Sequence, residues 1–323
     1  MKSLAIPGLP TPADLKAAAG RIAKFIHRTP VMTSTTLNEI TGAEVFLKCE
    51  NFQRIGAFKI RGALNTMFRM PREELFHGVA THSSGNHAQA VALAARLLQV
   101  KAYIVMPGNT SVVKADAVRG YGAEVTFCEA TLQARETICH AIMQKTGAVF
   151  IPPYDHWDII AGAGTAAMEL LEDAGGLEIV LAPVGGGGLL SGTALAFSYF
   201  HPATVIIGAE PKGADDAARS LASGKRVESH LPQTIADGLL TTLGEKNFSV
   251  IRRLVTDIVT VDESSIVHAM RWVWERMKIV IEPSSAVPVA VLLDGKINSR
   301  KKRIGVIISG GNVDMYRLPW LKR

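Results

Sequence analysis

The chain has 323 residues, of which 48% are hydrophobic and 20% charged, a composition typical of globular enzymes and unlike that of fibrous or disordered chains. Its net charge of +6 would suit a polyanion, but the basic residues are scattered and the densest cluster, Lys301–Arg303, fits a solvated loop, so we expect no nucleic-acid partner. No apolar run reaches the roughly 18 residues of a membrane span, and three cysteines without paired or metal-binding spacing indicate a reducing cytoplasm.

Strand-like and helix-like segments alternate along most of the chain. In the first series, strands at 78–84, 101–107, 124–129 and 148–154 enclose helices at 87–98, 111–121 and 131–146. The second series contains helices at 158–174, 189–199, 263–278 and 284–293, and strands at 179–184, 204–210 and 303–309. This alternation predicts an α/β protein whose parallel sheets are covered by helices.

The strand at 45–50 has no neighbouring strands of its own before residue 52, which predicts that it joins a sheet formed later in the chain. We therefore expect two doubly wound parallel-sheet domains, a large one from 1–71 and 153–323 and a small one from 72–152 inserted in it. Ligands bind beyond the carboxyl ends of such strands. Four stretches with polar groups or glycines lie at these ends, namely 82–88, 184–190, 209–216 and 308–312.

Gly185, Gly186, Gly187 and Gly188 follow a buried strand and precede a helix-like segment that begins with Leu189. The first turn of a helix presents unpaired N–H groups and partial positive charge, so a glycine loop leading into it lets the backbone approach a phosphate. A flexible turn is the alternative. The chain has no GK[ST] of a Walker loop, and we interpret the GxG at Gly162–Gly164 as helix packing because no buried strand precedes it.

Lys59 lies between Phe58 and Ile60, in apolar surroundings that disfavour a charged amine. A neutral lysine amine is the nucleophile of Schiff-base chemistry. A surface lysine whose stem packs on apolar neighbours is the alternative, and this stretch does not decide between them.

The segment at 81–88 supplies Ser83, Ser84, Asn86 and His87 at the start of a helix, where an anion such as a carboxylate binds well. A helix cap needs only one of these side chains. Ser309, at the end of the last strand, offers a hydroxyl to a heterocyclic nitrogen or caps a turn.

Taken together, these motifs resemble the pyridoxal-phosphate (PLP) enzymes of fold type II, the tryptophan-synthase-β-like class. Within that class the chain is similar to the branch of serine racemases and of serine, threonine and 3-hydroxyaspartate dehydratases. The stretches that carry the resemblance are HRTPVMTS (27–34), KCENFQRIGAFKIRGALN (48–65), IPPYDHW (151–157), ADGL (236–239) and SGGNVD (309–314). The resemblance implies a cofactor in the cleft between the domains and a homodimer.

The resemblance also implies roles for individual residues. Lys59 would hold the cofactor's aldehyde carbon and move the substrate's α-proton, and Ser84 would be the base on the opposite face. Asn86 would bond the ring hydroxyl and Ser309 the pyridine nitrogen. The remaining cofactor contacts would come from Phe58, Tyr154, Gly185, Gly186, Gly187, Gly188 and Leu189.

Glu210, Ala214 and Asp216 match the divalent-cation site of the racemase-like branch, and their hard oxygen ligands suit Mg²⁺, with Ca²⁺ or Mn²⁺ as alternatives. A solvated acidic turn is the other interpretation. The substrate's α-carboxylate is expected on Ser83, Ser84, Asn86 and His87. Arg135 would bind a second carboxylate in a bidentate manner, unless it is an exposed helix residue.

We therefore predict a dehydratase that converts a β-hydroxy amino acid to an oxo acid and ammonia, with 3-hydroxyaspartate, which gives oxaloacetate, favoured. The segments at 281–290 and 317–320 look most like hydroxyaspartate dehydratases. Serine or threonine dehydration and serine racemisation stay open, and a non-catalytic PLP-binding protein is the alternative from another class.

Overall fold

The computed structural model describes residues 6–321, which form ten strands and thirteen α-helices. The strands are β1 Val31–Met32, β2 Glu44–Cys49, β3 Val79–His82, β4 Ala102–Pro107, β5 Glu124–Cys128, β6 Val149–Phe150, β7 Ile179–Pro183, β8 Val205–Pro211, β9 Asp257–Val261 and β10 Arg303–Ile308. The helices are α1 Pro12–Ile22, α2 Thr35–Thr41, α3 Lys59–Arg69, α4 Arg72–Leu75, α5 Asn86–Leu98, α6 Val112–Gly120, α7 Leu132–Thr146, α8 Trp157–Ala174, α9 Gly188–Phe200, α10 Asp216–Ser223, α11 Glu245–Leu254, α12 Glu263–Met277 and α13 Pro283–Leu293.

These strands form two sheets, as the sequence predicts. Six strands pair in the order β1-β2-β10-β7-β8-β9, and four pair in the order β5-β4-β3-β6. The four-stranded sheet is parallel throughout. The six-stranded sheet is parallel except at one edge, where β1 runs antiparallel to β2. Strand β2 finds its partner in β10, more than 250 residues later, with Val45 opposite Ile304.

Helices cover both faces of the six-stranded sheet because its strands alternate apolar side chains between two cores. Val180 of β7 packs with α1, α8, α9 and α11, whereas Leu181 packs with α2, α12 and α13 on the other face. Every residue of β7 is buried, as expected for a strand covered on both sides. The four-stranded sheet is covered by α3, α5 and α6 on one face and by α7 on the other.

Three helices approach one another through glycines. A Cβ added to Gly162 of α8 would lie 2.5 Å from the carbonyl oxygen of Arg61 in α3. One added to Gly192 of α9 would lie 2.5 Å from the backbone nitrogen of Gly164 in α8. The GxG at Gly162–Gly164 is therefore a helix-packing motif, as predicted, and it brings α3 and α9 against the same helix.

None of the helices in the described part of the chain is both long and apolar enough to cross a lipid bilayer.

Candidate active site

The first residue of α3 is Lys59, and the chain enters this helix along the end of β10. Phe58 donates its backbone N–H to the Ser309 carbonyl oxygen over 3.0 Å, and Ala57 forms an antiparallel bridge with Gly310. Just before them Ile55 adopts a φ of 61°, in the left-handed region that a β-branched residue rarely occupies. These contacts bring Lys59 and Ser309 to one edge of the large sheet.

The Lys59 amine lies half-buried at this edge and donates to the carbonyl oxygen of Pro153 over 2.9 Å. Burial lowers the pKa of this amine to about 8, and the nearby carboxylate of Glu282 opposes the change. The Phe58 ring lies beside the amine, with 5.2 Å between Nζ and the ring centroid. Close to neutral pH the amine is thus far more often uncharged than a solvated lysine, as nucleophilic and proton-transfer chemistry requires.

The glycine loop, Gly185–Gly188, joins β7 to α9 and has no room for side chains. A Cβ added to Gly186 would lie 2.3 Å from the Tyr154 ring, and one on Gly185 would lie 2.9 Å from the Leu239 Cα. Gly187 caps α9 with a φ of 94°, which side-chain-bearing residues rarely adopt. The loop therefore exposes backbone N–H groups at a helix start, the arrangement that binds phosphate.

Tyr154 packs its ring against the glycine loop. It directly follows Pro153, the hydrogen-bond partner of Lys59, so one short segment touches both the lysine and the loop. Burial raises the pKa of the Tyr154 hydroxyl.

The segment from Ser83 to His87 enters the site from the small sheet, at the end of β3 and the start of α5. The Ser83 hydroxyl accepts from the Gly85 N–H at 3.3 Å, and Ser84 is half-buried beside it. His87 is buried, and its Nε2 lies 3.0 Å from the Ile151 carbonyl oxygen. Burial, with the charge of Lys59, lowers the pKa of His87 to about 3. The neutral ring donates from Nε2 to that carbonyl, which leaves Nδ1 as an acceptor that cannot donate to a carboxylate.

Asn86 is held by Glu282, which the sequence analysis did not single out, and by Asn312, which lies in the predicted strand-end stretch 308–312. Its Nδ2 lies 2.9 and 3.1 Å from the two carboxylate oxygens of Glu282, and its Oδ1 accepts from Asn312 Nδ2 at 2.8 Å. Glu282 is 3% exposed and stands directly before α13. An acidic residue between the apolar Ile281 and Pro283 was the only sequence signal of its burial.

The Ser309 side chain is buried at the end of β10, with its Oγ 3.0 Å from the Ser285 Oγ. Ser285 in turn donates to the Gly310 carbonyl oxygen over 2.7 Å. A neutral hydroxyl is therefore available at the strand end, without a carboxylate in that position.

Arg135 lies half-buried in the first turn of α7, and its Nε donates to the Thr131 carbonyl oxygen of the same turn at 3.4 Å. Its charge, together with burial, lowers the pKa of His82, the residue before Ser83. Arg135 is therefore near enough to the end of β3 for its charge to act on His82. His82 stacks on Phe150, with ring centroids 5.5 Å apart, and is another neighbour of the site that sequence analysis missed.

Glu210 and Asp216 form a separate buried acidic pair behind the glycine loop. Glu210 accepts from the Ala217 and Ala218 N–H groups at 3.1 and 2.9 Å, and Asp216 accepts from the Leu243 N–H at 2.7 Å. Burial and the charge of Asp216 raise the pKa of Glu210 to about 9. Burial also raises the pKa of Asp216, whose Oδ1 accepts no hydrogen bond within residues 6–321 and lies 3.4 Å from His230 Nε2.

This donor set fits a hard divalent cation, because such an ion would relieve the repulsion and pair the orphaned oxygen. Ala214 is buried at the end of the turn between the two carboxylates. In the described part of the chain no three His, Cys, Asp or Glu side chains converge as metal ligands. A cation here would therefore need carbonyl and water ligands as well.

Lys59, Ser309 and the glycine loop thus meet at the carboxyl edge of the large sheet, with the small sheet's segment from Ser83 to His87, which includes Asn86, opposite. The family described as "Pyridoxal-phosphate dependent enzyme" matches residues 22–310. The chain belongs to this family. The site fits its cofactor: a side-chain-free loop at a helix start suits the phosphate, the lysine of lowered pKa suits the aldehyde, and the buried serine hydroxyl suits the ring nitrogen.

Two curated relatives differ in the activity that their names state. A serine racemase of Dictyostelium discoideum is 48% identical over 307 residues, which cover 94% of each chain. A beta-hydroxyaspartate dehydratase of Paracoccus denitrificans is 46% identical over 312 residues, 97% of this chain and 99% of the relative. The solved structure of maize serine racemase superposes with a TM-score of 0.92 at 43% identity, over 94% of each chain. This structure confirms the two-sheet fold of type II PLP enzymes.

Proposed function

We propose that this protein is a PLP-dependent ammonia-lyase that eliminates water from 3-hydroxyaspartate to give oxaloacetate and ammonia. The observation that carries the proposal is the Lys59 amine, whose pKa is lowered at the edge where the glycine loop and Ser309 also lie. The bound cofactor would draw electrons from the substrate's α-carbon and so acidify its proton. The protein's own groups must then bind the substrate and move that proton.

Lys59 is suited to accept the α-proton. With a pKa of about 8, about half of these amines are neutral at pH 8, compared with well under a hundredth for a solvated lysine. The β-hydroxyl takes up a proton and leaves as water, and the enamine that is released tautomerises to an imine, which a second water molecule hydrolyses to oxaloacetate and ammonia. We assign Ser84 to the opposite face of the substrate, where its hydroxyl would exchange a proton during racemisation.

The α-carboxylate would bind at the start of α5, where backbone N–H groups and the hydroxyls of Ser83 and Ser84 are available. His87 would contribute its backbone N–H, because its ring is a neutral acceptor on the open side. Arg135, which lies near the end of β3, would bind the second carboxylate of hydroxyaspartate, since an unpaired buried carboxylate is strongly disfavoured.

Serine or threonine dehydration and serine racemisation are the alternative activities, and the relatives named serine racemase favour racemisation. An oxo-acid assay over serine, threonine and the 3-hydroxyaspartate isomers separates them. We expect the highest kcat/KM for one hydroxyaspartate isomer. We also expect Arg135→Ala to raise the KM for that isomer about tenfold or more, with Arg119→Ala as the matched control. Equal turnover of threonine and hydroxyaspartate, or an unchanged KM, would contradict the substrate assignment.

The role of Lys59 is tested by colour and by turnover. Purified protein with bound cofactor should be yellow, and borohydride should bleach it while attaching the cofactor to Lys59, as peptide mass analysis would show. Lys59→Ala should lower kcat about a thousandfold or more. A protein that stays colourless after incubation with PLP would support neither the enzyme nor the alternative of a non-catalytic PLP-binding protein.

Ser84→Ala separates the two proton transfers. It should lower the rate of racemisation by a larger factor than the rate of elimination, measured as loss of optical activity and as oxo-acid release. Equal losses would exclude Ser84 as the base on the second face.

We further propose Mg²⁺ at Glu210, Ala214 and Asp216, a homodimer, and a cytoplasmic location. The uncompensated carboxylates support the cation, and the free cysteines Cys49, Cys128 and Cys139 support a reducing compartment. We propose residues 1–71 and 153–323 as the large domain and 72–152 as the small one, since the strands of each sheet fall within these ranges.

A further inference from the structure

The side-chain amide of Asn86 has a defined orientation. Its nitrogen faces both oxygens of the Glu282 carboxylate, at 2.9 and 3.1 Å, while its oxygen accepts from the Asn312 amide. If the amide turned over, its oxygen would face a carboxylate and its N–H groups would face another N–H. The opposite orientation is therefore disfavoured at both ends.

We propose that Glu282 is a positioning residue that fixes the Asn86 amide so that its nitrogen, not its oxygen, is presented to the cofactor. One N–H of Asn86 satisfies the carboxylate, and the second remains as a donor for the cofactor's ring hydroxyl. The inference rests on the proposed function, because it requires Asn86 to contact the cofactor. It adds a residue nearly two hundred positions away from Asn86 in sequence.

The Glu282 carboxylate is itself held by the segment that carries Ser309. The Glu282 N–H donates to the Gly310 carbonyl oxygen at 3.0 Å, and the Asn312 N–H donates to Glu282 Oε2 at 3.2 Å. A Cβ on Gly310 would lie only 2.8 Å from Oε1, so the glycine makes room for the carboxylate. Ser309, the proposed partner of the ring nitrogen, and Glu282, the proposed support of Asn86, thus belong to one packed unit.

Asn86 begins a helix of the small sheet, whereas Glu282 and Asn312 belong to the large sheet's end of the site. Their contacts therefore cross between the two sheets. Because Glu282 is 3% exposed, water competes little for these hydrogen bonds. The Glu282 carboxylate can therefore fix Asn86 only while the two sheets are packed against each other.

The charge of Glu282 depends on three facing groups besides the amides. Asp237 disfavours the carboxylate form, whereas Lys114 and the Lys59 amine favour it. Burial raises the pKa of Glu282 to about 7. At pH 8 the carboxylate can accept from both Asn86 and Asn312, while at pH 6 a protonated Glu282 would hold Asn86 less firmly.

A double-mutant cycle tests the inference. The dissociation constant of PLP is measured by dilution of the holoenzyme for wild type, Glu282→Gln, Asn86→Ala and the double variant, with Glu275→Gln as an exposed control. At pH 8 we expect Glu282→Gln to raise this constant about tenfold when Asn86 is present and less than twofold when it is Ala. At pH 6 the dissociation constant of PLP for Glu282→Gln should approach that of wild type.

An equal effect of Glu282→Gln in both backgrounds, or none in either, would overturn the inference. If Glu282→Gln does not fold, Glu282→Asp keeps the charge but shortens the reach, and its effect should again require Asn86. A wild-type protein without the borohydride-sensitive cofactor band would instead refute the proposed function. If wild type has a normal cofactor band but the effects of the Glu282 and Asn86 substitutions on the dissociation constant of PLP are additive, only the role of Glu282 is refuted.

Discussion

Two buried clusters of charged side chains differ in how well their positive and negative charges balance. One consists of Lys48, Glu50, Arg61 and Glu169, and the other of Glu210 and Asp216. In the first cluster Arg61 contacts Glu50 at 2.7 Å and Glu169 at 2.8 Å, and Lys48 contacts Glu169 at 2.6 Å. Two cations thus meet two anions. In the second, two carboxylates face each other, and the nearest cationic candidate is His230, with its Nε2 3.4 Å from Asp216.

The difference separates buried charges that are compensated within the chain from buried charges that are not. A carboxylate whose partners are in the chain needs nothing more, and Arg61 and Glu169 hold α3 against α8 immediately after Lys59. A carboxylate whose pKa is raised by burial and by another acid gains from an added cation. Glu282 lies between these cases, since its partners are mostly neutral amides.

The largest expected effect comes from breaking the balanced cluster. Arg61→Met leaves Glu50 buried without its cation, so we expect the free energy of unfolding in urea to fall by about 3–5 kcal/mol. Arg271→Met is the control, because Arg271 pairs with Glu275 on the exposed face of α12 and should cost less than about 1 kcal/mol. Similar losses of unfolding free energy for both variants would show that the buried pair of Arg61 contributes no more than an exposed pair.

A smaller effect is expected from the pH dependence of Glu282. Its pKa is raised from 4.5 to about 7 in the folded protein, so its stabilising contribution is complete below pH 4.5 and is lost as pH rises through 7. Relative to Glu282→Gln, wild type should lose at most about 3 kcal/mol of unfolding free energy between pH 4.5 and 8. Comparing the two proteins cancels the titration of His87, whose pKa is set by burial and Lys59 rather than by Glu282. A constant difference across this range would show that Glu282 does not titrate there.

The unbalanced cluster is tested by adding a cation. Mg²⁺ at a hundred times its dissociation constant should raise the unfolding free energy by about 3 kcal/mol. Asp216→Asn should abolish most of this gain, measured as the change in Tm with Mg²⁺ concentration. An equal response of wild type and Asp216→Asn would place the cation elsewhere, and no response to Mg²⁺, Ca²⁺ or Mn²⁺ would refute the site.

The smallest effect is expected at the Lys114–Asp237 pair, which joins α6 of the small sheet to the turn before residue 240. Asp237 is about half exposed, so water and salt screen the pair. Lys114→Ala should change the unfolding free energy by less than about 1 kcal/mol, and less again in 1 M salt. A loss of unfolding free energy comparable with that of Arg61→Met would mean that solvent exposure does not determine how much these ion pairs contribute.

Much of the fold could be predicted because strands buried on both faces are uninterrupted apolar runs, as β7 and β10 are. Strand β9 was not predicted. It lies at the sheet edge with an exposed Asp257 and half-buried residues, so its apolar signal is weak. Helix α3 was not predicted either, since Gly62 is a poor helix former and is explained only by its contact with Ile159 of α8.

The glycine loop Gly185–Gly188 was predicted as a phosphate site from its own stretch, whereas Lys59 was assigned as the reactive amine only through the family resemblance. The fold brings both to one sheet edge, and their roles stay predictions. The contacts of Glu282 and Asn312 with Asn86 could not be predicted, because they join side chains that are 196 and 226 residues apart. The neutral state of His87 likewise depends on burial beneath a carbonyl of Ile151, which no local pattern shows.

The glycine contacts among α3, α8 and α9 have a consequence for how the protein can move. Lys59 begins α3 and the glycine loop begins α9, and both helices rest with their backbones directly on α8. The spacing between Lys59 and the backbone amides of the glycine loop is therefore set by the close packing of α3, α8 and α9. A displacement of β3 and α5 would move Ser84 and Asn86 relative to Lys59 and the glycine loop, and it would break the Asn86 contacts with Glu282 and Asn312 and disturb the packing of α5 on α3.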